Sequence, residues 1–426
     1  MNLYLKNIKL VSPADYLDTV SDLLIVNDVI EKIGTKGRIP KGTEEIDLKG
    51  KTAIPGVFDM HVHFRYPGQT HKEDLFTGSM SAANGGVTGV LCMPNTDPPI
   101  DSPLLVKEII SQSKDLITDI EVTACATDKR EGKKLSQLIS LSDSGAVAFT
   151  DDGSPVSDPE IMRRVLEYSA QLNRPVIQHC EEMRLSNGGV MNEGFVSTVM
   201  GVKGIPSVSE TSIIARDLMI AEYVKNSHYH IQHISCGKSV ELLRAAKNNN
   251  QNVTGEVCPH HFILTDKECL GYNVNAKMNP PLRTSDDVEQ ILEGLRDGTI
   301  DVICTDHAPH TEYEKTQGFY QAPFGIVGLE TLIGLAYTYL VKTDIISFNE
   351  FIIKLSVNPR KILNLPAVRI SEGERANLTV VSEKTKWKIN KNKFMSRSVN
   401  TPFDGFEVRC KPYCVINKGK IHYSRL

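Results

Sequence analysis

A (β/α)8 barrel carrying a small β-sandwich built from both chain termini is the fold this sequence predicts, and three observations predict it. Eight short apolar runs alternate with longer amphipathic stretches between residues 51 and 309. The runs are rich in Val, Ile, Cys and Ala with little alternation, the texture of parallel strands covered on both faces. Both ends of the chain read differently, as short strands punctuated by Asn, Lys and Gly. Regular alternation over eight units favours closure, because an open sheet of that width would leave two edges. The expected division is 1–53 plus 366–426 for the small β domain and 54–365 for the barrel.

The elements follow in chain order. Leu3, Leu5, Ile8 and Leu10, then residues 23–33, read as short antiparallel strands. The barrel strands are expected at 52–64, 86–94, 120–127, 145–150, 174–179, 227–234, 252–259 and 300–305. Ser157-Asp158-Pro159 opens a helix, with an acid at the N-cap and Pro at the first helical position before Ile161, Val165 and Leu166. Ser209 ahead of Ile213, Ile214, Leu218 and Val224 opens another, and 238–247 forms a third. The polar, glycine-containing stretch 311–323 follows the last barrel strand and is a candidate active-site loop. Strand texture returns from about 373, at 377–381, 387–389, Val408, 413–416 and 421–423.

Composition narrows the function classes. Lys+Arg 48 against Asp+Glu 52 gives a net charge of −4, so no basic field points to nucleic acid or a membrane surface. No apolar run approaches the ~18 residues of a membrane span, and the expectation is a soluble cytoplasmic protein. Nine cysteines, an odd number without a C-x-x-C pair, argue against a disulfide framework and a thiolate zinc ribbon. The 12 histidines instead fall mostly in a few clusters.

Those clusters sit where a barrel places its chemistry, at the C-terminal ends of the strands. The first strand ends in Asp59-Met60-His61-Val62-His63, the fourth in Thr150-Asp151-Asp152-Gly153, and the fifth in Gln178-His179-Cys180-Glu181. The sixth ends in His230-Ile231-Gln232-His233 and the eighth in Thr305-Asp306-His307. Singly each has a plainer reading: a polar strand pair, a core histidine at 179, a turn at 151–152. His228 and His230 read as solvated strand residues, and His260-His261 is left outside the site. Together, His61, His63, His179, His233, an Asp from strand four and Asp306 offer four imidazoles and two carboxylates. That exceeds what one tetrahedral zinc needs and suits a pair of ions sharing a carboxylate. The nitrogen-rich set favours two Zn²⁺ per chain, with Co²⁺ or Mn²⁺ as substitutes.

The run from Gly56 to Gly68 around His61, His63 and Arg65 resembles the metal-binding signature of class I dihydroorotases in the amidohydrolase superfamily. Met93-Pro94-Asn95-Thr96, Phe149-Thr150-Asp151-Asp152-Gly153, Met278-Asn279-Pro280-Pro281-Leu282-Arg283, Thr305-Asp306-His307-Ala308-Pro309-His310 and Pro323-Phe324-Gly325 through Glu330 carry the same resemblance. The resemblance implies that His61, His63 and Asp306 hold one ion and His179 and His233 the other. Asp152, the second of the two adjacent acids, would bridge them. It further implies that Asp306 moves protons as the catalytic residue, and that His63, Arg65, Asn95, Asn279, His310 and the Phe324–Gly325 backbone contact substrate. The implied reaction is reversible cyclisation of N-carbamoyl-L-aspartate to L-dihydroorotate and water, a step of pyrimidine biosynthesis.

Tyr66 departs from the family, which often has an acid there. The resemblance leaves room for a homodimer and for association with aspartate carbamoyltransferase. A hydantoinase or allantoinase is disfavoured, since many such relatives carry a carboxylated Lys after strand four and none stands here. A non-catalytic partner of aspartate carbamoyltransferase is disfavoured by the complete ligand set.

Overall fold

The computed structural model describes residues 1–34 and 39–426. Each barrel strand falls on the run the sequence marks, except that 52–55 of the first run belongs to the terminal sheet: β1 (Val57–Val62), β2 (Val87–Cys92), β3 (Asp119–Ala124), β4 (Ala148–Phe149), β5 (Val176–Gln178), β6 (Tyr229–Ile231), β7 (Val253–Val257) and β8 (Val302–Ile303). Each pairs in parallel with the next. Closure comes just past the strand ends. The His63 N–H donates to His307 O at 2.8 Å, and the His307 N–H to His61 O at 3.3 Å. The seam that closes the barrel therefore runs through residues of the candidate site.

Inside the barrel, Phe58, Met60, Leu91, Met93, Ile177, Val302 and Cys304 form an apolar plug, while the outer faces pack on the surrounding helices. The helix Pro159–Gln171 starts where expected, with Asp158 Oδ1 accepting from the N–H groups of Glu160 and Ile161. The next predicted helix begins earlier than the sequence suggested, at Val208. Ser209 lies buried in its first turn and donates to Glu182 O at 3.2 Å, so it ties the helix to the loop after β5 rather than capping it. The third predicted helix spans Gly237–Asn248.

Strands from both ends form one mixed eight-stranded sheet with its own core of Leu3, Leu5, Ile8, Leu10, Leu378 and Val380. Thr52–Pro55, immediately before β1, is its junction strand: it pairs in parallel with Asn2–Ser12 and antiparallel with Leu378–Ser382. Trp387–Lys388 and Glu407–Val408, expected among the terminal strands, stand apart as a two-stranded ladder packed near Gly334. Asn417, fully buried, pins the sheet to the barrel by donating to Ile117 O at 2.8 Å and Thr88 O at 3.2 Å.

The candidate active-site loop after β8 is ordered by two buried lysines. Lys277 Nζ donates to the carbonyls of Phe319, Tyr320 and Ala322, and Lys315 Nζ to those of Pro323 and Gly325. Within the loop, Glu312–Lys315 forms a single helical turn.

Candidate metal centre

Period-two alternation puts His61 and His63 on one face of β1, and that face looks into the barrel mouth. Asp152, His179, His233 and Asp306 arrive from the ends of β4, β5, β6 and β8. Two groups of buried ligand atoms result, His61–His63–Asp152 and Asp152–His179–His233, each with its atoms within 4.8 Å of one another. Asp152 belongs to both. Asp306 Oδ1 lies 2.8 Å from His63 Nε2 and 3.5 Å from His61 Nε2.

Asp151 points elsewhere, accepting from the Thr127 N–H at 3.0 Å and from its hydroxyl. The adjacent acids are thus sorted by geometry. His233 (φ 29°) and Asp306 (φ 50°) occupy left-handed backbone that L residues rarely adopt. Such positions cost about 1–3 kcal/mol each and cluster at functional sites.

The electrostatics are those of a site built around cations. Burial alone would lower His61, but Asp306, Glu256 and Asp152 outweigh it and raise the imidazole well above its ordinary value. Burial would raise Asp152, yet His61, His63 and His179 hold it well below the carboxylate range. His233 is driven well down by burial and by His179 and His61 beside it. His179 Nδ1 and His233 Nε2 face each other at 2.9 Å, two nitrogens that need a shared proton or a metal between them. Nitrogen and carboxylate donors, buried, convergent and sharing one acid, fit a pair of transition-metal ions.

Over this centre opens a cavity of about 240 Å³. Its lining includes His63, Arg65, Asn95, Asp152, His179, His233, Asn279, Asp306, His310, Phe324 and Gly325. That volume lies just under the usual ~300–1,000 Å³ range of ligand pockets and suits a small molecule. Arg65 is buried, its Nε donating to Pro309 O at 3.2 Å and its Nη2 lying 3.4 Å from His310 Nε2. Burial and the cations Arg65, Lys72 and Lys315 push His310 down to about 2, so its imidazole is neutral. Its Nδ1 is buried without a partner among the described residues. Asn95 accepts from His63 Nδ1 at 2.8 Å and donates to Asp152 Oδ2 at 3.2 Å. Asn279 donates to Glu181 Oε2 at 2.8 Å. Gly325 is left-handed (φ 111°), and a Cβ there would stand 2.6 Å from the Ala308 Cβ, so only glycine fits.

Three residues at the site were given no role by the sequence reading, which quoted Glu181 and Gln232 only as part of strand ends. Glu256 on β7 holds His61 Nδ1 at 2.6 Å. Glu181 holds His179 Nε2 at 2.9 Å, and the Gln232 amide lies 3.3 Å from His61 Nδ1. An acid inside the apolar run of β7 was the one available signal. The solvated reading of His230 is corrected: it is fully buried against Glu256 and Thr254. His228 is half-buried against the same threonine. His260 and His261 are buried in the turn of helix after β7, with His261 Nε2 donating to Pro280 O at 3.0 Å.

A family model described as dihydro-orotase-like matches residues 50–239. A dihydroorotase of Acetivibrio thermocellus is 44% identical over 420 residues, covering 98% of each chain. One from Carboxydothermus hydrogenoformans is 44% identical over 427 residues, covering 100% of this chain and 99% of its own. Among solved structures, the L-hydantoinase (dihydropyrimidinase) from Arthrobacter aurescens superposes with a TM-score of 0.87 at 22% identity, covering 100% of this chain and 96% of its own. That likeness speaks to the fold. No helix among the described residues is long and apolar enough to cross a membrane.

Proposed function

The chain belongs to the dihydroorotase family, a hydrolase of cyclic amides, and from that membership we propose a two-ion enzyme that interconverts N-carbamoyl-L-aspartate with L-dihydroorotate and water. The observation that carries the two-ion reading is the pair of buried donor groups sharing Asp152 beneath a cavity that holds Arg65. His61, His63 and Asp306 would hold one ion and His179 and His233 the other, with Asp152 common to both; Zn²⁺ suits the donors best. Bound there, the ions would acidify a water and polarise the ring carbonyl.

The protein's own groups do the rest. In the hydrolytic direction the ring C–N bond breaks as water adds to the carbonyl carbon. Asp306 takes the proton of that attacking water and delivers it to the departing ring nitrogen. In the synthetic direction the same carboxylate removes the proton from the ureido nitrogen as it attacks the carboxyl carbon, and returns it to the carboxyl oxygen that leaves as water when the C–O bond breaks. Arg65 grips the free carboxylate of the substrate with its planar fork, where a lysine would offer only a point charge. Neutral His310 and Asn95 border the same carboxylate. Asn279 and the Phe324–Gly325 backbone line the same cavity.

The experiment is an assay of the purified chain alone with carbamoyl aspartate and with hydantoin, together with its metal content. Turnover of carbamoyl aspartate, loss on chelation and restoration by Zn²⁺ with two ions per chain are expected. Turnover of hydantoin alone, or full activity in metal-free protein, would overturn the reading.

A further inference from the structure

A line of hydrogen bonds runs down the inside of the barrel from the metal centre to its opposite end. Strands β6 and β7 pair with His230 beside Thr254, and alternation brings every second side chain inward: His228 and His230 from one, Thr254 and Glu256 from the other. His228 Nε2 lies 2.9 Å from Thr254 Oγ1, which lies 2.8 Å from His230 Nδ1. His230 Nε2 lies 3.2 Å from Glu256 Oε2, and Glu256 Oε1 lies 2.6 Å from His61 Nδ1. His61, His230 and Glu256 are all fully buried. At the outer end, His228 and Thr254 line a cavity of about 350 Å³ at the N-terminal face of the barrel, with Arg174, Lys361 and Asp301.

With His230 and His228 each carrying a single proton, one set of donor directions satisfies the whole line. A carboxylate accepts and does not donate, so both His61 Nδ1 and His230 Nε2 must carry hydrogen toward Glu256. His230 Nδ1 is then a bare lone pair, which takes the Thr254 hydroxyl proton. The Thr254 oxygen in turn accepts from His228 Nε2–H. With Nδ1–H committed to Glu256, the nitrogen left facing Asp152 and Asp306, at 3.6 and 3.5 Å, is Nε2. That nitrogen is the one a metal would need.

We infer that Glu256, backed by His230, Thr254 and His228, is a positioning residue that fixes the ring and tautomer of His61 and so sets the affinity of the ion His61 holds. The inference rests on the two-ion reading above. Carboxylates behind metal-binding histidines act this way in general, and their loss costs about 10–100-fold in metal affinity. What this chain adds is depth. A glutamine at 256 could still accept from His61, but its amide would then meet His230 Nε2–H, donor against donor, unless the imidazole and Thr254 both reverse.

The test is stepwise Zn²⁺ uptake by the metal-stripped full chain, read by competition with a chelator, in wild type, Glu256→Gln and Thr254→Val. Glu256→Gln is expected to weaken one of the two uptake steps by about 10–100-fold and leave the other unchanged. Thr254→Val touches neither Glu256 nor His61 and should weaken the same step by a smaller factor. Wild-type affinity in a folded Glu256→Gln protein, or an equal loss at both steps, overturns the inference. Should Glu256→Gln fail to fold, wild-type affinity in Thr254→Val does so. A wild-type chain that takes up no Zn²⁺ overturns the two-ion reading instead.

Discussion

Asp151 and Asp152 are neighbours in the chain with separate duties. Asp151 spends its carboxylate on Thr127, and burial pushes it up to about 6. Asp152 faces three imidazoles and stays ionised. Asp152→Asn is therefore expected to abolish stable binding of a metal pair, measured as ions per chain after dialysis. Asp151→Asn should keep the ions and lose about 1–3 kcal/mol of stability from an unmet buried hydrogen bond; the reverse outcome would exchange the two roles. Arg65 is the second single-residue test. Buried beside His310, it is the only fork-shaped cation lining the cavity among the described residues. Arg65→Lys should cost about 2–5 kcal/mol in kcat/KM for dihydroorotate, since one partner of a buried charge pair is left poorly met. Unchanged kinetics would remove Arg65 from the carboxylate.

At the scale of elements, the barrel strands were legible because each is an apolar run between amphipathic stretches, and the ligand ends were legible because His and Asp interrupt those runs at their last residues. The interior line from His228 to Glu256 was not. His228 and His230 read singly as solvated residues, and only closure of the barrel reveals that the polar face they share is inside. The ladder of Trp387–Lys388 with Glu407–Val408 was misplaced for a related reason: alternation marks a strand without naming its partner. The loop after β8 was legible as a loop but not in what holds it. Lys315, beside Lys277, is pushed down to about 7 by burial, against ~10.4 in an unfolded chain. For a lysine lowered on folding, the penalty is complete below pH 7 and lifts as pH rises, because the folded state releases its proton first. Wild type should therefore gain melting temperature from pH 7 to pH 8 through this group, and Lys315→Met should lose that slope; identical slopes would place the shift elsewhere.

For the molecule as a whole, a band of polar contacts bolts the terminal sheet to the barrel, and Asn417 makes two of them where no water reaches. Asn417→Ala strands two buried carbonyls, at a cost of about 1–3 kcal/mol. The expected result is a lower melting temperature with unchanged kcat/KM at 25 °C; a loss of turnover in folded protein would instead tie the sheet to catalysis. The junction strand Thr52–Pro55 has a consequence of another kind. Its partner Leu378–Ser382 is made only after all eight barrel strands have left the ribosome. At roughly 5–20 residues per second, the open edge next to the first barrel strand waits on the order of tens of seconds for its cover. During that interval the nascent chain presents an apolar strand with one edge open, Asn2–Ser12 covering only the other, so a holdase that binds extended segments should find its substrate there.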